Sequence, residues 1–95
     1  MVVTLAGNLD TIAWINKHNY TPLYGSMNPA QEPPLGEDIA QLHLIGDLDK
    51  VITLPMLSKA LRAQPDPTLR TLQDADHSCC WSEIWPQVLA EFLSP

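Results

Sequence analysis

The chain predicts a small α/β domain, two- or three-layered, with a mostly parallel three-stranded sheet, and three observations carry that prediction. Strand-like and helix-like stretches alternate, in the order strand, helix, long loop, strand, helix, strand, helix. The middle strand, residues 39–45, holds Ile39, Leu42, Leu44 and Ile45 and leaves little room for a wet face, as a central strand covered on both sides requires. Helical stretches follow the first two strands closely, which is the layout of a parallel sheet built from crossover units.

At 95 residues the chain reads as a single domain spanning 1–95, with a proline-rich connecting loop at 20–38. Val2, Val3, Thr4 and Leu5 form a short β-branched stretch and a first strand. Asn8 is the expected cap of the first helix, with Leu9, Ile12, Ala13 and Ile15 facing inward and an end near His18 and Asn19. Residues 20–38 contain four prolines and two glycines, so neither a regular helix nor a central strand survives there. After the central strand, Thr53 is the expected N-cap and Pro55 lies in the first turn of the second helix. Leu54, Leu57 and Leu61 form its core stripe, and Gln64-Pro65-Asp66-Pro67 stops it. A short strand over 68–72 follows. The last helix, over 82–93, places Ile84, Trp85, Val88, Leu89 and Phe92 on one face, with Pro86 in its first turn.

Composition narrows the function. The net charge is −6, from 11 acidic and 5 scattered basic residues, which argues against direct nucleic-acid binding, since that needs clustered cations to displace counterions. No apolar run is long enough to cross a bilayer, and the amino terminus lacks the pattern of a secretory signal, so a cytoplasmic protein without a membrane partner is expected. The two cysteines, Cys79 and Cys80, are neighbours and are expected to be reduced thiols, because a disulfide between adjacent residues strains the peptide joining them. Asp74, Asp76, His77 and the cysteines are ligand-type residues, but their spacing matches no usual metal pattern. No metal or cofactor is expected.

The motif search for catalysis is negative. Gly7, Gly25, Gly36 and Gly46 are isolated and form no phosphate-binding loop, and there is no G-x-S-x-G elbow. Asp47 and Asp49 follow the central strand, where α/β enzymes keep their sites, but an Asp-x-Asp in a loop is ordinary turn chemistry. His43 reads as a hydrogen-bonded structural histidine. The chain is therefore expected not to be an enzyme, with no catalytic residue assigned. Tyr20, Leu23, Tyr24 and Met27 on the proline-stiffened loop, together with Trp81 and Trp85 at the last helix, are the expected partner-binding residues. Trp81 and Trp85 also fit a core role.

The run Leu42-His43-Leu44-Ile45, then Leu57, Ala60, Leu61 and Arg62, then Leu69 and Leu72, resembles the strand, acidic loop, helix and strand of the psi subunit family of bacterial DNA polymerase III. The closing helix with Trp81, Trp85 and Val88 is similar to that family's carboxyl-terminal helix. The similarity covers roughly half the chain. It implies an α/β accessory subunit of DNA replication without catalysis of its own, bridging the clamp loader to a chi-like subunit. Tyr20 and Leu23 are a loose counterpart of the family's aromatic arm, and the chain is shorter than typical members. The expected function is thus a protein–protein adaptor or assembly subunit, of which a psi-like subunit is one form. The alternatives are an acidic inhibitor or immunity-type protein that blocks a basic site on its partner, and a small-ligand or enzyme domain using the loop after Ile45.

Overall fold

The computed structural model describes residues 1–22, 25, 27–79 and 81–93, with the side chains of 92 and 93 outside that description. Three strands, β1 (Val2–Leu5), β2 (Gln41–Gly46) and β3 (Thr68–Leu72), form one parallel sheet in the order β1-β2-β3. Among the described residues, three α-helices complete the expected alternation: α1 (Thr11–His18), α2 (Leu54–Leu61) and α3 (Trp81–Leu93). All six residues of β2 are buried, because this strand has a neighbour at each edge and helices over both faces.

The pleat sorts the side chains of β2 between two cores. Ile45 joins Ile52, Leu57 and Leu61, with Leu9, Trp14, Met56 and Leu69 packed around them. Leu42 and Leu44 join Val88, with Val3, Trp81, Ile84 and Trp85 around them. Hence α1 and α2 cover one face and α3 the other, giving three layers. Both crossovers carry their helix on the same face, as two connections of one hand progressing in one direction must. Leu42, Leu44, Ile45 and Leu57 are the largest fully buried side chains, each stabilising the fold by about 1.5–3 kcal/mol through burial.

Five local expectations are corrected. Asp10, not Asn8, caps α1: its carboxylate accepts the Ala13 amide proton at 3.1 Å. Starting at Thr11, the helix turns Trp14 and Ile15 inward and leaves Ile12 exposed. In α2 the buried stripe is Leu57 and Leu61, while Leu54 at the helix start is exposed. Pro86 lies inside α3 rather than in its first turn, because the helix already begins at Trp81. Cys79 is disulfide-bonded rather than a reduced thiol, and Cys80 lies outside the described residues. Phe92, expected on the inner face of α3, also has its side chain outside them. The strand over 68–72 and the proline in the first turn of α2 are as expected.

Candidate functional site

Each end of the sheet carries a cleft, and the two are built differently. At the amino end, the connection at 27–35 lies over the start of β1 and β2. Asn28 anchors it, accepting the Thr11 amide at 3.0 Å and the Ala30 amide at 3.2 Å while donating to the Asp10 carboxylate at 3.2 Å. A second anchor is the Leu35 amide, which donates to Gln64 Oε1 at 3.0 Å. Between this strap and the sheet lies a cleft of about 220 Å3, with Val2, Leu9, Met27, Pro33 and Leu61 in its walls.

The floor of that cleft is a chain of side-chain hydrogen bonds whose direction can be worked out. Gln64 Oε1 is an acceptor only, so the Gln41 side-chain amide donates to it at 3.1 Å. The Gln41 carbonyl is then the acceptor for His43 Nε2–H at 3.0 Å. His43 Nδ1 is left to accept the Thr4 hydroxyl proton at 2.7 Å. A neutral imidazole with its proton on Nε2 satisfies every link. Burial, with the ring residue 2% exposed, pushes the His43 pKa below its ordinary value and holds that neutral form. His43 is therefore the hydrogen-bonded histidine its apolar strand suggested, with partners on β1 and β2 and the chain continued by Gln41 to Gln64 after α2.

At the carboxyl end, backbone bonds lock two loops together. The Asp47 amide donates to the Leu72 carbonyl and the Leu48 amide to the Ala75 carbonyl, both at 2.9 Å. Gly46 makes this closeness possible, since a Cβ there would overlap the Ala75 carbonyl oxygen. Asp49 then draws the loops together through its side chain, which is fully shielded from solvent. Its Oδ1 accepts the amides of Val51 at 2.8 Å and Ile52 at 2.9 Å, the turn chemistry expected of it. Its Oδ2 accepts the Nδ1–H of His77 at 2.9 Å. Sequence reasoning missed this pairing. Trp81 Nε1–H donates to the His77 carbonyl at 2.9 Å, tying the same loop to α3.

An open cleft of about 470 Å3 results, lined by Leu48, Lys50, Val51, Asp76, His77 and Ser78. With Nδ1 held by the Asp49 carboxylate, Nε2 is the nitrogen left for a proton or a ligand. An aspartate–histidine pair in this position has the geometry of an oriented base. No serine or threonine hydroxyl is hydrogen-bonded to His77 among the described residues. No group of acidic, histidine or cysteine side chains suited to a metal ion occurs among the described residues.

The expected partner-binding residues are divided among three places. Tyr20 is 51% exposed and stacks on His18, their ring centroids 5.3 Å apart, with Trp14 edge-on to it at 5.0 Å. Met27, 71% exposed, stands at the wall of the amino-end cleft. Trp81 and Trp85 pack on Leu42, Leu44 and Val88 under α3. Leu23 and Tyr24 lie outside the described residues. No described helix is long and apolar enough to cross a membrane. Comparison with known proteins finds no matching family model, no matching curated protein and no matching solved structure.

Proposed function

We propose that the chain is a non-catalytic protein–protein adaptor or assembly subunit. One observation supports this reading most strongly: Tyr20 and Met27, on or beside an anchored proline-rich segment, keep half or more of their surface in water. Asn28 and Leu35 already anchor the part that bears Met27, and Tyr20 is held against His18 and Trp14, so a partner that covers these two side chains gains apolar contact with little ordering cost. The acidic charge of −6 favours partners with basic surfaces. A psi-like subunit that binds a chi-like protein is the specific form suggested by the sequence resemblance.

The test is complex formation by the wild-type chain and by the Tyr20→Ala/Met27→Ala double variant. Both are passed over a sizing column with a purified bacterial chi subunit, and both are used for affinity capture from the native lysate. The adaptor reading expects a stoichiometric partner held by the wild type and lost by the variant at unchanged melting temperature. Co-elution with chi identifies the psi-like form. A different captured protein keeps the adaptor reading and removes the psi-like one. A partner held equally by both proteins contradicts the proposed surface.

A further inference from the structure

The amino-end cleft has walls that are already held in place. One is the strap, anchored by Asn28 and by the Leu35 amide. Facing it are the starts of β1 and β2 and the last turn of α2, which contributes Ala60 and Leu61. The floor groups Thr4, Gln41 and His43 are spent on one another and on Gln64, so they offer a ligand little. The rest of the lining is mostly apolar. Among the described residues that form it, Glu32 is the one ionised side chain, and no lysine or arginine takes part. His43 is held neutral by its burial. The Glu32 carboxylate stands exposed on the strap, with no partner of its own among the described residues.

Volume limits what fits. An apolar cavity of about 150 Å3 holds a benzene molecule, so the 220 Å3 of this cleft takes one six-membered ring with a short arm. We infer that the cleft is a small-molecule site whose ligand is a monocyclic primary amine, its ring between the strap and α2 against Met27, Leu35 and Leu61, and its ammonium group at Glu32. The apolar walls supply most of the affinity. Charge then selects among ring-sized ligands. An ammonium meets a carboxylate that no neighbouring cation neutralises, whereas an anionic ligand meets the same carboxylate with nothing to offset the repulsion. The anchored strap lowers the cost of binding, since the walls need little ordering. The inference goes beyond the adaptor reading and shares only Met27 with it; Tyr20 is not in the cleft lining.

Titration of the 15N-labelled chain with 2-phenylethylamine at about pH 7, followed by two-dimensional NMR, tests it. Three companion probes separate the contributions: 2-phenylethanol lacks the charge, butylamine lacks the ring, and 3-phenylpropionate reverses the charge. The amine is expected to give saturable shifts at the amides of Met27, Ala30, Glu32, Leu35, Ala60 and Leu61. Its Kd should be on the order of 1 mM, as suits a ligand of so few atoms. The alcohol is expected to bind about threefold less well, because Glu32 is an exposed partner. Butylamine and 3-phenylpropionate should bind about tenfold less well or not at all. Glu32→Gln is expected to bring the amine down to the level of the alcohol. Ala60→Met and Ala30→Leu each add side-chain atoms to the cleft and should weaken binding about tenfold or more. Tyr20→Ala is expected to leave amine binding unchanged, so failure of this site is separable from failure of the adaptor surface. Four results would each overturn the inference: no saturable shift, binding of butylamine or 3-phenylpropionate as tight as that of 2-phenylethylamine, a preference for the amine that survives Glu32→Gln, or undiminished binding in both filled variants.

Discussion

The two ends of this sheet dispose of their polar groups in opposite ways. At the amino end, Thr4, Gln41, His43 and Gln64 use their hydrogen bonds on one another and on the Leu35 amide. At the carboxyl end, the backbone pairs with itself and the buried carboxylate of Asp49 draws in His77. The first arrangement closes a strap over the sheet. The second holds two loops rigid and leaves Leu48 and Val51 facing solvent. A polar side chain buried beneath a cleft is thus no sign of a binding site by itself. What distinguishes the carboxyl end is that main-chain bonds, rather than side-chain ones, hold its loops together.

The most damaging way to break this contrast is Gly46→Ala. The new methyl group meets the Ala75 carbonyl, a backbone atom that moves only if the two loops separate. Overpacking of this kind costs about 3 kcal/mol, and in a domain of this size it lowers Tm by roughly 10–20 °C. A melt within a few degrees of wild type would mean that the two loops are not locked.

An intermediate effect separates the ends by pH. His43 has a lowered pKa in the fold because it is buried, so the unfolded chain binds its proton more readily. The stability contributed by the neutral ring is complete above about pH 6.5, declines as pH falls below that value, and is gone once pH passes below the folded pKa. Urea titrations from pH 7.5 to pH 4.5 should therefore show a steeper acid loss in wild type than in His43→Leu, the slope rather than the level being the readout. Parallel profiles would remove the buried neutral histidine from the account.

The smallest expected effect lies away from both ends. Glu91 on α3 has its pKa lowered by hydrogen bonds from Gln87 and from Arg70, the latter 2.6 Å away on β3. Both partners of the ion pair are well exposed, so Arg70→Ala should barely move the melting temperature. It should raise the Glu91 pKa towards its ordinary value, as read by carboxyl NMR titration. A large stability loss would show that α3 depends on this pair and not on the packing of Val88, Trp81 and Trp85.

Much of the fold was legible because it depends on local signals. The apolar run of β2, the proline in the first turn of α2 and the breaker after it each act within a few residues. Ile12 and Leu54 were misread because helical period alone does not say which side of a short helix the sheet will take, and both lie in the first turn of their helices. The site was less legible. Asp49 and His77 meet only because β2 and β3 pair in parallel, with Gly46 opposite Leu72, which brings the loops that follow them side by side. No spacing along the chain encodes that register. His43, by contrast, was readable as structural because its strand is apolar on both sides.

The central claim is that backbone bonds lock the two carboxyl-end loops together while side-chain bonds hold the amino end. Amide hydrogen exchange in the 15N-labelled chain, followed by two-dimensional NMR, tests it most directly. The account predicts strong protection of the Asp47 and Leu48 amides, which donate to the Leu72 and Ala75 carbonyls. Exchange at these two amides as fast as in the unfolded chain would contradict it.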